Sequence, residues 1–150
     1  FQLTARADRI DVSANGLVIT DYKTGNIPGD KKVVSGFAPQ LPLEAAIAMS
    51  ETLEAGFEHV PKLPVVGLRY IKASGGEPPG DERDVKSGDI VALASAQLEG
   101  LKKLVFEFDK PETPYSPQRR ARFSYDYDDF AHLARVAEWS AGGEEGGEGE

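Results

Sequence analysis

The sequence contains no cysteine, which excludes disulfides, zinc–thiolate sites, iron–sulfur clusters and cysteine nucleophiles. Imidazoles are scarce as well: there are only His59 and His132, and their separation matches no metal-binding spacing. No apolar run approaches the ~20 residues needed to cross a bilayer, and residues 1–9 lack the hydrophobic segment of a signal peptide. These absences predict a protein that makes no membrane contact and works in the cytoplasm. Basic charge is short too, with 17 Lys and Arg against 25 Asp and Glu, a formal net charge of -8. Such a balance weighs against a broad phosphate-binding surface. Four of those acids, Glu144, Glu145, Glu148 and Glu150, are confined to the glycine-rich end, however, and carboxylates that hold a metal are themselves acidic. The first residue is Phe1 rather than methionine, inside what reads as a strand, so a fragment of a longer polypeptide is expected.

What is present is enough for one domain: 150 residues, 40% of them apolar. Residues 3–12 and 17–23 are β-rich and joined through Asn15-Gly16, the strongest short hairpin signal. A two-residue turn there would place Asp8 opposite Lys23 and Ile10 opposite Asp21, with Asp8, Asp21 and Lys23 on one face and Asp11 on the other. A three-residue turn would exchange Asp8 for Asp11. Residues 24–36 read as a loop carrying Lys31 and Lys32, ending in a turn at Ser35-Gly36. The pattern predicts a helix over 38–55, with an apolar face of Leu43, Ala46, Ile47, Met49 and Leu53, a stop at Gly56 and Gln40 near its start. A third strand over 64–73 follows, parallel to its predecessor through a right-handed crossover. Residues 74–84 read as a loop. A second long helix is capped by Asp89 and runs to about Phe108. The basic stretch with Tyr115, Arg119, Arg120 and Arg122 reads as extended, a last helix spans 127–140, and residues 141–150 read as a disordered Gly/Glu tail. The domain is thus placed at 1–140.

Leu17-Val18-Ile19-Thr20 runs directly into Asp21-Tyr22-Lys23. Residues two apart on a strand share a face, so Asp21 and Lys23 project together from the end of a buried strand. Charges persist in such places when they are paired, bind metal or do chemistry. A structural ion pair is the plain reading. With Asp8 on the neighbouring strand, two carboxylates and a lysine also fit metal-dependent phosphodiester hydrolysis. Mg²⁺ prefers carboxylate oxygens, keeps its waters and takes one or two protein carboxylates. Asp8 and Asp21 would hold it, and Lys23 would orient the attacking water or stabilise charge developing on the phosphate.

Ala5-Arg6-Ala7-Asp8-Arg9-Ile10-Asp11, followed by Asp21-Tyr22-Lys23-Thr24-Gly25, resembles the signature of the PD-(D/E)xK nuclease superfamily in its RecB-like branch, with Ala5 at the usual glycine. The resemblance implies an α/β, restriction-endonuclease-like mixed sheet of hairpin, helix and parallel strand flanked by helices, here truncated at the N-terminus. It implies Asp8 and Asp21 as ligands of Mg²⁺ or Mn²⁺, the Tyr22 backbone carbonyl as a third, and Lys23 as the catalytic lysine. Gln40, in Pro39-Gln40-Leu41-Pro42-Leu43, looks like the family's helix glutamine. The order of elements and the closing 127–140 segment resemble the nuclease domain of AddB-type subunits of bacterial helicase-nucleases, in a branch without an iron–sulfur cluster. That likeness implies a DNA exonuclease acting on double-strand break ends in recombinational repair, with an AddA-type partner subunit. The family's usual first helix and strand, with a further metal ligand, lie upstream of where this chain begins.

Two other readings compete. Lys23-Thr24-Gly25 resembles the Lys-Thr-Gly strand of penicillin-binding proteins, but no serine has a lysine three residues on, so the nucleophile motif is missing. The other is a non-catalytic nuclease fold serving as a DNA-binding or subunit-docking module, in keeping with the acidic charge.

Overall fold

The computed structural model describes residues 1–50, 56–77 and 79–114. The chain divides into two compact units, Phe1–Asp109 and Lys110–Glu150. In the second, the described residues include a turn in which the Thr113 amide donates to the Lys110 carbonyl at 3.1 Å. The expected helix over 127–140, the arginine-rich stretch and the Gly/Glu tail lie outside the described residues.

All the elements that follow lie in the first unit. At its centre is β2 (Gly16–Lys23), whose Leu17, Ile19 and Asp21 side chains face one way and are buried. The strand is apolar along that face because helices cover it. β1 (Arg9–Ser13) pairs antiparallel on one side and β3 (Val65–Ala73) parallel on the other. β4 (Gly80–Asp84) closes the sheet antiparallel to β3, giving the order β1-β2-β3-β4. The connection from β2 to β3 carries α1 (Asp30–Val34) and α2 (Gln40–Ala48), and α3 (Ile90–Phe108) follows β4. Packing of α2 on β2, β3 and α3 buries Leu41 and Ala45 with Leu17, Ile19, Leu68 and Tyr70. This is the mixed α/β sheet expected from the sequence.

The hairpin differs in register from the expectation. Ser13 pairs with Gly16 and Ile10 with Ile19, so the turn is Ala14-Asn15 and every pairing is shifted by two residues. Asp8 therefore falls opposite Asp21, not Lys23. An even shift leaves the faces unchanged, so Asp8 still shares the Asp21 face while Asp11, paired with Val18, points away. One local and one distant contact set the register. The Ser13 hydroxyl closes the turn, donating to the Gly16 carbonyl at 2.8 Å and accepting from the Asn15 amide at 3.3 Å. Gly16 is used by β3 instead of the turn: its φ is +140°, and a Cβ there would lie 2.3 Å from the Pro64 carbonyl oxygen. Gly16→Ala is accordingly expected to destabilise the chain by about 2–3 kcal/mol, since a disfavoured φ alone costs about 1–3 kcal/mol, read as a lower urea midpoint at unchanged slope.

Three further corrections have physical causes. Residues 24–36 are not all loop, because α1 forms there, anchored by the fully buried Val33 and ended by Gly36 at φ +85°. The described part of the next helix ends at Ala48, with residues 51–55 outside the described residues, and it buries Leu41, Pro42, Glu44, Ala45 and Ala48 instead of the face expected. Its sequence is apolar almost all round, so periodicity could not select a side. Residues 80–84 form a strand where a loop was expected. Gly-Asp-Glu-Arg-Asp has no strand propensity of its own; it is an edge strand held by Arg69, which contacts Glu82 at 2.8 Å and Asp84 at 2.7 Å.

Candidate active site

The C-terminal end of β2 meets the N-terminus of α2, and the site forms at that junction. Asp21 is 2% exposed. Lys23 follows on the same face and brings its Nζ to 2.9 Å from Asp21 Oδ2 and 3.1 Å from Oδ1. Gln40, the first residue of α2, closes the triangle: its Nε2 donates to Asp21 Oδ1 at 2.7 Å, and its Oε1 accepts from Lys23 Nζ at 3.1 Å. The structure thus brings together three of the four residues expected to act, although Gln40 lies 17 residues beyond Lys23 in the chain.

Asp8 sits just before β1. Its Oδ2 accepts from the Tyr22 amide at 3.0 Å, continuing the hairpin ladder with a side chain where β1 ends. The Tyr22 carbonyl leaves β2 on the same side as that amide, toward Asp8. The Tyr22 ring is turned to the other face of the sheet, where its hydroxyl accepts from the Arg9 guanidinium at 3.4 Å. Arg9 is further tied to Asp11, which leaves Asp11 in an exposed ion pair on the face opposite the site.

Two further groups belong to this site, Glu44 and Tyr70. Glu44 lies one helical turn after Gln40 and is 3% exposed, with Oε1 accepting from Gln40 Nε2 at 3.3 Å. Burial pushes its carboxyl above the ordinary carboxylate range, and the negative charges of Asp21 and Asp8 add to the effect. The i, i+4 spacing from Gln40 could have exposed it, had α2 been read for polar as well as apolar positions. Tyr70 pairs with Asp21 across the parallel ladder, and burial, with Asp21 beside it, pushes its hydroxyl up to about 12. Arg83 pairs with Tyr70 in turn and donates to the Pro28 carbonyl, pinning the loop that leads to Lys31 and Lys32. Asp21, Tyr70 and Arg83 therefore form one row across β2, β3 and β4, with Asp8 beside its β2 end just before β1.

The raised Glu44 pKa makes a signed prediction for metal-free protein. The folded state binds this proton more tightly than the unfolded state, so the contribution is fully present below the ordinary carboxylate pKa. It is lost as pH rises through the raised value. Urea midpoints measured across that window are expected to fall with pH, and Glu44→Gln to flatten the slope.

Donor chemistry and burial fit a hard divalent cation. Among the described residues, Asp21 Oδ2 is buried and has no aligned hydrogen bond, and the Lys23 ammonium lies 2.9 Å from it. Among the described residues no group of three or more His, Cys, Asp or Glu is arranged around one point. A two-carboxylate site completed by a carbonyl and waters is nevertheless ordinary for Mg²⁺. Among the described residues, no helix is long and apolar enough to cross a membrane.

Comparison with known proteins gives this arrangement a family. An uncharacterized protein of Rickettsia bellii is 30% identical over 82 residues, covering 48% of this chain and 10% of the relative. Uncharacterized proteins of Rickettsia felis and Rickettsia conorii are 42% identical over 76 residues and 46% over 52. These matches cover 48% and 34% of this chain and 8% and 6% of the relatives, so the chain spans a tenth or less of the relatives it matches. No solved structure matches. Residues 1–139 match the PD-(D/E)XK nuclease superfamily, and the chain belongs to that superfamily.

Proposed function

We propose that this chain is the catalytic domain of a metal-dependent deoxyribonuclease of the RecB-like branch, of AddB type. In this reading it trims DNA ends as an exonuclease during double-strand break repair, beside an AddA-type helicase-nuclease subunit. The observation that carries the proposal is the Asp21–Lys23–Gln40 triangle at the end of β2, with Asp8 docked on the adjacent Tyr22 amide. Asp8, Asp21 and the Tyr22 carbonyl would hold Mg²⁺ or Mn²⁺. When bound, such an ion polarises the scissile phosphate and lowers the pKa of a coordinated water.

The chain's own residues do the rest. Lys23 Nζ has three N–H donors; Asp21 and Gln40 take two, which leaves one for the attacking water or a phosphate oxygen. A fixed ammonium stabilises the extra negative charge that gathers on the phosphate as the water oxygen bonds to phosphorus and the P–O ester bond breaks. Gln40 keeps the ammonium from collapsing wholly onto Asp21. In this reading Lys31 and Lys32, exposed on α1, would contact neighbouring phosphates of the strand.

Asp8 and Asp11 provide the test, because the hairpin register separates them by face. Asp8→Ala is expected to lower Mn²⁺-dependent cleavage of single-stranded DNA by roughly 10²-fold or more, as for loss of a metal ligand. Asp11→Ala is expected to leave it within about twofold, since exposed ion pairs contribute little. Equal effects of the two substitutions would sink the assignment.

A further inference from the structure

Glu44 is a carboxylate in a costly position. It is 3% exposed, its Oε2 is buried with no hydrogen-bond partner among the described residues, and Asp21 and Asp8 add unfavourable charge, relieved in part by Gln40 and Lys23. A leucine on the same turn of α2 would pack without that desolvation penalty. Among the described residues, Glu44 hydrogen-bonds the side-chain amide of Gln40, through Oε1 at 3.3 Å.

That contact acts on a group whose orientation matters. The Gln40 amide has two hydrogens and one oxygen, and each meets a complementary charge: Nε2 faces Asp21 Oδ1 and Glu44 Oε1, and Oε1 faces Lys23 Nζ. Turned by half a rotation, the oxygen would face Asp21 Oδ1 and the nitrogen would face the ammonium, acceptor against acceptor and donor against donor. Asp21 and Lys23 favour the observed orientation, but both have other work in the proposed reaction. Whenever Asp21 engages another partner, its hold on Gln40 Nε2 weakens. Glu44 has no such competing task and sits on the same helix as Gln40, so its hold persists.

We propose that Glu44 is a positioning residue of this site, fixing the Gln40 amide so that Gln40 Oε1 continues to hold Lys23 Nζ while Asp21 is otherwise engaged. The proposal deepens the nuclease reading and rests on it. Glu44 acts through Gln40 and touches no substrate.

A double-mutant cycle in the full chain tests it, with Mn²⁺ as the metal and a single-stranded oligonucleotide as substrate. Glu44→Leu is expected to lower kcat by roughly 10-fold, with KM and calorimetric Mn²⁺ affinity within about twofold of wild type. Glu44→Gln keeps the shape and the Oε1 acceptor and is expected to recover most of that loss. In a Gln40→Ala background, Glu44→Leu is expected to have no further effect on kcat. Additive losses, a Glu44→Gln variant as slow as Glu44→Leu, or a Glu44→Leu variant as fast as wild type would each overturn the proposal. Glu44→Ala repeats the cycle if the leucine variant shows a lowered urea midpoint. A wild-type chain that neither binds Mn²⁺ nor cleaves would instead overturn the nuclease reading, and with it the role in turnover. The same four variants followed by urea denaturation still report whether Gln40 and Glu44 are coupled, so the two failures are told apart.

Discussion

Asp21→Asn is expected to remove cleavage almost completely, by roughly 10³-fold or more in kcat/KM, or about 4 kcal/mol, while the chain still folds. The substitution is isosteric and deletes a charge, not a shape. Its oxygen can replace Asp21 Oδ1 as acceptor for Gln40 Nε2, the 2.7 Å contact. The new amide nitrogen then stands where Oδ2 lay, 2.9 Å from Lys23 Nζ, donor against donor. Lys23 loses its anion but is only half-buried, so it turns to water and the fold survives. The proposed cation site loses more, because a neutral amide carries none of the charge that attracts a hard divalent ion. Calorimetry with Mn²⁺ and steady-state cleavage are expected to report the same loss. Cleavage within about tenfold of wild type would remove Asp21 from the mechanism, given that each tenfold is only about 1.4 kcal/mol.

The sequence made much of this site legible, and the reasons differ by residue. Asp21 and Lys23 were readable because strand periodicity is two and the preceding run is apolar. The even two-residue shift moves the pairings but keeps Asp11 on the face away from Asp21, while Asp8 meets the Tyr22 amide. Turn chemistry located the hairpin, yet Gly16 was committed to the close approach of Pro64, a contact nearly fifty residues away that no local pattern contains. β4 was invisible for a similar reason, since its residues are ordered by Arg69 and not by their own propensity. Glu44 is not marked by apolar periodicity, because α2 is apolar almost all round; its sequence signal is the i, i+4 spacing from Gln40.

The electrostatics of the site make a single charge balance. Asp21 lies against one ammonium, Lys23, while Asp21 and Asp8 both bear on the buried Glu44, a negative excess in a place where burial already raises the Glu44 pKa. Such an excess is unfavourable in an isolated fold and is relieved by a bound cation or a proton. The same imbalance explains why the acidic composition of the chain does not oppose a role on DNA. The carboxylates are gathered beside the half-exposed Lys23, while Lys31 and Lys32 lie across the loop from β2.

Lys23→Met separates catalysis from metal binding, and for that reason it is the sharper partner to Asp21→Asn. Methionine keeps most of the unbranched stem and removes the charge, leaving the Asp21 side chain in place and held by Gln40 at 2.7 Å. In wild type the Lys23 ammonium lies against both Asp21 oxygens, so it competes with a divalent cation for the same carboxylate. Without it, Mn²⁺ affinity is expected to hold or tighten. Turnover is expected to fall by about 10²–10³-fold, the size of effect seen when one preorganised donor to a developing charge is lost. The two variants would then resemble each other in rate and diverge in calorimetry, Asp21→Asn losing the metal and Lys23→Met keeping it. A Lys23→Met variant that binds Mn²⁺ as weakly as Asp21→Asn would make Lys23 a structural counter-ion to Asp21, and the triangle with Gln40 a device for ordering a carboxylate, with no ammonium serving the phosphate.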